Sequence, residues 1–425
     1  MTEKVKIDYV FSGTGMLKLI PPKRHCSAKY RAMRLSTIKE GVTLINKNLN
    51  ERLTVMDVGM SILFNAYTES RWGNFYRTSD KISFDKLYAD SGGLQVVTRG
   101  KQLTDLMKDE IYKAQDEGDV AFCFDEIPLE KMCEHTDLAG SNRAVISSKI
   151  FNTKRFDECA RKTAENVKYQ LSQLSRARIS YIIQGNTYED MIRWFDIAYE
   201  VLGDDIEKLH GIALADTCMG NGELETCDML YAGAHIFKTY TNLPKNLHLL
   251  GVGSGRRMLP AIILCRNGFM GDVILSSDSS TQSMHYMMGK SISFDKKLTD
   301  YESFKMFVDE MEPIYSKLID NYDADELVRF ILANNRQSAA VEEVCYNPEH
   351  RFHTIGFSIC PLYGIWTSNK LFLDIERMLG ETSYITLLNQ VTKLEDYVDW
   401  RNKNYSNLQS KRIKRKRVTI LDLMG

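Results

Sequence analysis

Between about residue 50 and residue 280, short apolar segments recur along the chain, each ending near a glycine or a polar side chain. Most are followed by a longer stretch whose Leu, Ile, Val, Phe and Met residues fall three to four apart. A strand buried on both faces reads as a continuous apolar run, and a helix against a core shows the three-to-four spacing. The strand-like segments are Leu53–Met60, Lys86–Asp90, Asp119–Asp125, Ile179–Gln184, Leu209–Leu214, Asn246–Val252 and Asp272–Asp278, with an earlier one over Val5–Phe11. Helices are predicted between them over Gln102–Asp116, Arg155–Ala177, Thr187–Leu202, Leu224–Thr241 and Arg257–Asn267. A repeated βα unit of this size closes most readily into a TIM-type (β/α)8 barrel, with an open doubly wound sheet as the alternative.

The chain has 425 residues, which suits one barrel of roughly 250 residues plus an appendage. After about Thr299 the pattern changes to long helical stretches over Tyr301–Asn321, Ala324–Asn335, Lys370–Leu379 and Thr382–Asn404. The expected organisation is therefore a barrel over residues 1–299, a helical C-terminal region over 300–408 and a basic tail over 409–425. In that tail, Lys411, Arg412, Lys414, Arg415, Lys416 and Arg417 place six positive charges within seven residues. Such a run suits a solvated tail or a polyanion contact. Net charge elsewhere gives no sign of a nucleic-acid partner, since the whole chain carries only −1.

Nine cysteines, scattered and without a Cys-x-x-Cys pair, fit a reducing compartment better than a disulfide framework. A cytoplasmic protein is expected. No apolar run approaches the roughly 20 residues of a membrane span, and the first thirty residues carry charges throughout, so no membrane partner is expected.

Active sites of such barrels lie at the carboxyl ends of the strands. Here those ends carry Asp90, Asp125, Gln184 and Asp278. Asp90 runs into Ser91-Gly92-Gly93, where the absence of Cβ atoms lets backbone lie flat against a ligand; the same residues also suit a capped turn. Asp125 ends an apolar run and can accept two adjacent N–H donors, such as those of a guanine-like base. Gln184, before Gly185, can both donate and accept, although each residue alone also fits a structural role. Asp278 could attack a sugar anomeric carbon through an oxocarbenium-like transition state, with Asp90 managing protons on the bases. A turn among serines is the competing reading. Gly251-Val252-Gly253-Ser254-Gly255 lacks the third glycine of a dinucleotide fingerprint, so a tight strand-to-helix loop is expected, with Arg256 and Arg257 either meeting phosphate or solvated.

In order along the chain, Asp90-Ser91-Gly92-Gly93-Leu94-Gln95, Phe124-Asp125-Glu126, Ile183-Gln184-Gly185, Gly211-Ile212-Ala213-Leu214 and Leu250-Gly251-Val252-Gly253 resemble the motif series of the tRNA-guanine transglycosylase family. The resemblance spans roughly residues 85–285. It implies a modified TIM barrel that exchanges guanine in a polynucleotide for a 7-deazaguanine through a covalent aspartyl–sugar intermediate. It further implies Asp90 as the general acid and base, Asp125 and Gln184 as the base-recognition pair, and Ala213 and Leu214 as backbone facing the purine's 7-substituent. Ser91, Gly92 and Gly185 fall in the same base-binding motifs. Asp278 falls on the nucleophile, in a stretch through Tyr286 similar to archaeal members; Asp272 is the rival, because the count from Gly251 fits bacterial spacing better.

Three departures from that family stand out. The Pro-Thr-Arg after the nucleophile is absent, the Cys-x-Cys-x-x-Cys zinc cluster is absent, and no RNA-binding domain of the archaeal type is evident. Cys345, His350, His353 and Cys360 form a candidate substitute zinc set, since Zn2+ takes such donors in a closed tetrahedral site. No other cofactor is required by the chemistry. The departures are similar to the divergent branch of phages and bacterial genomic islands that inserts 7-cyano-7-deazaguanine or a relative into DNA. DNA is thus the expected partner, with tRNA as the alternative, and a non-catalytic nucleic-acid-binding barrel or a barrel acting on a free nucleoside as further alternatives.

Overall fold

The computed structural model describes residues 4–12, 28–79, 83–93, 104–128, 134–136, 142–144, 154–215, 222–279, 299–334, 344, 347, 349–379 and 387–404. In chain order it contains β1 (Val5–Phe11), α1 (Ala28–Arg52), β2 (Met56–Asn65), α2 (Ala66–Thr78), β3 (Leu87–Asp90), α3 (Asp105–Gln115) and β4 (Val120–Phe122). A two-stranded antiparallel pair follows, β5 (Glu134–Thr136) and β6 (Asn142–Ala144). Next come α4 (Phe156–Gln173), β7 (Arg178–Ile183), α5 (Tyr188–Leu202), β8 (Gly211–Ala215), α6 (Glu223–Thr239), β9 (Asn246–Leu250), α7 (Gly255–Arg266) and β10 (Ile274–Ser279). Further helices are α8 (Asp300–Tyr315), α9 (Ala324–Asn334), α10 (Gly356–Met378) and one over 394–404.

Eight parallel strands close into a barrel in the order β1-β2-β3-β4-β7-β8-β9-β10, with β10 pairing back to β1. This is the TIM-type barrel that the βα repeat predicts, and the doubly wound alternative is excluded by closure. Every strand-like segment of the sequence becomes a barrel strand. The largest difference is β2, which continues five residues past Met60 and ends at Asn65.

The helix that seals the wall after β10 is α10, far along the chain. It packs against both α1 and α7, and its Phe372 meets Tyr9 of β1 edge-on at 5.3 Å. Such a pair adds about 0.5–1.5 kcal/mol beyond the burial of its area. The residues after 300 therefore include a piece of the barrel wall, and the expected boundary at 299 does not separate barrel from extension. Sequence spacing finds only the last part of α10, from Lys370. From Gly356 through Lys370 every residue of the helix is buried, so no polar face marks the period, and Pro361 sits inside it. Helices apolar all round lose the amphipathic signal.

The chain's local chemistry fixes several joints. Asn50 of α1 donates through Nδ2 to the Val58 carbonyl at 2.9 Å and accepts the Val58 N–H at 2.8 Å, copying a strand pairing with a side-chain amide. Thr187 and Asp190 form a reciprocal cap at the start of α5, directly after the β7 end. Among the described residues, no helix is long and apolar enough to cross a membrane.

Candidate active site

The barrel's carboxyl end brings Asp90, Asp125, Gln184 and Asp278 to one mouth, from β3, the segment after β4, the segment after β7, and β10. Behind the first two stands a buried amide bracket. Gln115 Nε2 donates to the carbonyls of Ala89 and Phe122, at 3.1 and 2.7 Å, and Gln170 donates to Gln115 Oε1 at 2.8 Å. One side chain thus ties the last turns of β3 and β4 together and sets the spacing of Asp90 and Asp125.

Asp90 accepts the Asn65 Nδ2 amide at 2.8 Å and backbone donors at Ser91 and Gly92. The other half of the same amide caps α2, where Asn65 Oδ1 accepts from the Thr68 N–H at 3.0 Å. The end of β2 therefore does two jobs at once. Gly92 has φ of 76°, and a Cβ there would lie 2.5 Å from that of Tyr67. At Gly93 a Cβ would lie 3.0 Å from Asp125 Oδ1. The glycine pair is needed for the left-handed turn and for close approach to the second carboxylate. Ser91 is buried, and its Oγ accepts from the Gly93 N–H at 3.4 Å.

Gln184 donates through Nε2 to Asp125 Oδ2 at 2.7 Å, and both residues are buried. Burial pushes the Asp125 carboxyl up to about 7, opposed by the Gln184 bond and reinforced by the charge of Asp90. Burial likewise pushes Asp90 up to about 6, opposed by its hydrogen bonds and reinforced by the charge of Asp278. Asp90 thus feels the charge of Asp278, and Asp125 that of Asp90, because both buried carboxyls are poorly solvated. Ala213 and Leu214 are buried on β8, where Leu214 lies in register with Ile183, the residue before Gln184. At Gly185 a Cβ would come within 2.8 Å of the Met191 nitrogen, so the turn into α5 is closed to larger residues.

Asp278 accepts the Gly251 N–H at 2.8 Å and contacts His248 Nε2 at 3.3 Å, both through Oδ1. The glycine-rich segment is the tight loop expected after β9: a Cβ on Gly253 would fall 1.8 Å from that of Ser279. Asp272, the rival nucleophile, precedes β10 at the opposite end of the barrel, exposed and ion-paired to Lys245 at 2.6 Å. It is remote from the mouth.

The two arginines of this loop differ. Arg256 is exposed, whereas Arg257 is buried and donates through Nη1 to the Gly251 carbonyl at 3.2 Å, bracing the loop that holds Asp278. Of the candidate zinc donors, Cys345 lies outside the described residues. Cys360 is buried within α10, His350 Nδ1 accepts the Phe352 N–H at 3.1 Å, and His353 Nδ1 lies 3.4 Å from the Val344 carbonyl. Among the described residues no three His, Cys, Asp or Glu side chains gather at a point that could hold a metal.

The basic residues Lys411, Arg412, Lys414, Arg415, Lys416 and Arg417 lie outside the described residues. The last described helix, 394–404, begins with Glu395 opposite Lys238 near the end of α6. It then runs to Arg401, which bonds buried Asp228 at 2.7 Å and lies over the Tyr188 ring at 5.0 Å. Tyr188 opens α5 just past Gln184, so the chain reaches Asn404 at the mouth end of the barrel.

Three contributors escape the sequence reading: Asn65, Gln115 and His248. A signal existed for one of them, since His248 interrupts the apolar run Leu247-His248-Leu249-Leu250 at an inward position. No protein-family model and no curated protein matches this chain.

Proposed function

We propose that this protein is a DNA-guanine transglycosylase, exchanging guanine in DNA for a 7-deazaguanine such as 7-cyano-7-deazaguanine through a covalent aspartyl-deoxyribose intermediate. The observation that carries the reading is the meeting of Asp90, Asp125 and Asp278 at one mouth with Gln184 already bonded to Asp125. A base-recognition pair beside two further carboxylates is the equipment that glycosyl exchange needs. A silent binding barrel has no use for acids held above their ordinary range at a cost in stability.

The target nucleotide leaves the base stack to enter the mouth. Asp125 and Gln184 hold the edge of the guanine. Asp278 attacks C1′ as the C1′–N9 bond breaks, and the Asp90 carboxylic acid gives its proton to the departing guanine. The incoming 7-deazaguanine then loses its N9 proton to the Asp90 carboxylate, N9 bonds to C1′, and the C1′–O bond to Asp278 breaks. Both carboxyl groups return to their starting forms. An Asp90 whose pKa is about 6 suits both proton transfers near neutral pH.

A polynucleotide rather than a free nucleoside is favoured by the route of helix 394–404. It delivers the chain to the mouth end, and Lys411 follows Asn404 within about 25 Å of extended chain. The preference for DNA over tRNA rests on the missing landmarks of the tRNA enzymes.

Incubation with DNA and with tRNA in the presence of labelled 7-cyano-7-deazaguanine tests the reading. Label is expected in DNA. Label confined to tRNA overturns the choice of polynucleotide, and absence of label from both overturns the transglycosylase.

A further inference from the structure

His248 lies on the inner face of β9, one strand from Asp278, with only 2% of its surface exposed. Its ring packs against Phe122, at 4.7 Å, and Tyr88, at 5.9 Å, which also stack on each other. Nδ1 lies 2.9 Å from Ser276 Oγ, and Nε2 lies 3.3 Å from Asp278 Oδ1. The Ser276 hydroxyl also lies 3.4 Å from the Leu247 carbonyl and bonds the Tyr88 side chain. With the Ser276 hydroxyl as donor to Nδ1, the ring presents the hydrogen on Nε2 to Asp278 Oδ1.

The Gly251 N–H reaches the same oxygen, at 2.8 Å. Two donors from different elements thus converge on Oδ1, while no described residue donates to Oδ2. We propose that His248 is a positioning residue, which with the Gly251 N–H locks the Asp278 carboxylate by Oδ1 and leaves Oδ2 to form the bond to C1′. This rests on the transglycosylase reading of the mouth. In the covalent intermediate Oδ1 becomes the ester carbonyl oxygen. When the C1′–Oδ2 bond breaks, the electron pair returns to the carboxylate, and the same two donors receive part of its charge.

Misplacement of a reacting atom by about 1 Å costs about 100-fold in rate. His248→Phe keeps a ring against Phe122 and Tyr88 but removes the donor; His248→Gln places an amide nitrogen near the position of Nε2. With the full chain, DNA and labelled 7-cyano-7-deazaguanine, His248→Phe should slow adduct formation and turnover about 100-fold with KM for the base unchanged. His248→Gln should recover most of that loss. Ser276→Ala, a milder change, should slow turnover about fivefold, the effect of one ordinary hydrogen bond.

Undiminished rates in His248→Phe and Ser276→Ala overturn the positioning role, as does His248→Gln being as slow as His248→Phe in properly folded protein. If His248→Phe does not fold, Ser276→Ala and His248→Gln decide the matter by the same criteria. Wild-type protein that forms no adduct with either DNA or tRNA overturns the transglycosylase reading and this proposal with it. A wild-type adduct together with unimpaired variants removes His248 alone.

Discussion

Asp8 and Asp125 are both buried aspartates of one barrel, yet their surroundings differ. Asp8, on β1, accepts from Ser61 at 2.6 Å, Tyr88 at 2.9 Å and the Lys86 ammonium at 3.2 Å. Asp125, at the mouth, accepts from the Gln184 amide and stands near the charge of Asp90. Among the described residues, no lysine or arginine pairs with Asp90, Asp125 or Asp278, whereas Asp8 and Asp272 each have a lysine. Toward the amino end the carboxylates are neutralised and serve the fold. At the mouth, Asp90 and Asp125 are left under-compensated, which costs stability and leaves their protons exchangeable near neutral pH.

The largest effect expected from this contrast is kinetic. Asp278→Ala should abolish base exchange and the covalent adduct, a loss of about 10,000-fold or more. Asp272→Ala, at the other end of the same strand, should leave exchange within about twofold, because it removes only an exposed pair. Denaturing gels for the adduct and label incorporation for turnover read both. Retained exchange in Asp278→Ala would erase the chemical distinction between the two ends.

Second in size is a change in stability with pH. The Asp125 carboxyl rises from 3.8 to about 7 on folding, so between those values the folded protein binds the proton more tightly than the unfolded chain. Its penalty is absent below about pH 4, grows as pH rises and is complete above about pH 7. Asp125→Asn retains an acceptor for Gln184 and should stabilise the fold at pH 8 by on the order of 2–4 kcal/mol, with no gain at pH 4. Denaturant midpoints at the two pH values check this, and an equal effect at both would mean that burial does not strain Asp125.

Smallest is the converse change away from the mouth. Lys86→Met leaves Asp8 with Ser61 and Tyr88 only. Because the Lys86 side chain is 36% exposed, the loss should be about 1–2 kcal/mol rather than the several expected of a fully buried pair. Urea midpoints measure it, and kcat of the folded fraction should not change. A kinetic defect here would show that the two ends are coupled.

The eight strands were legible because each is a short apolar run ending near a glycine or a polar residue, a pattern written into neighbouring positions. Asp90, Asp125, Gln184 and Asp278 were legible for the same reason. Helix α1 and helix α2 were not anticipated, and α10 was found only at its end, since burial on all sides erased its period. Asn65 was hidden by ending β2 too early; Gln115 looked like one more polar residue on a helix. Its role depends on carbonyls 26 and 7 residues away.

Periodicity and punctuation, which depend on near neighbours in the chain, determined the barrel and which residues stand at its rim. Which aspartate meets a lysine, which meets only an amide, and which faces His248 was decided by closure of the sheet. Strand register brings together side chains such as Val10 and Asp278, or Asn65 and Asp90, that no local pattern relates. Desolvation and the field of one carboxylate on another exist only once those distances are set, so the proton affinities of the mouth belong to the tertiary structure alone.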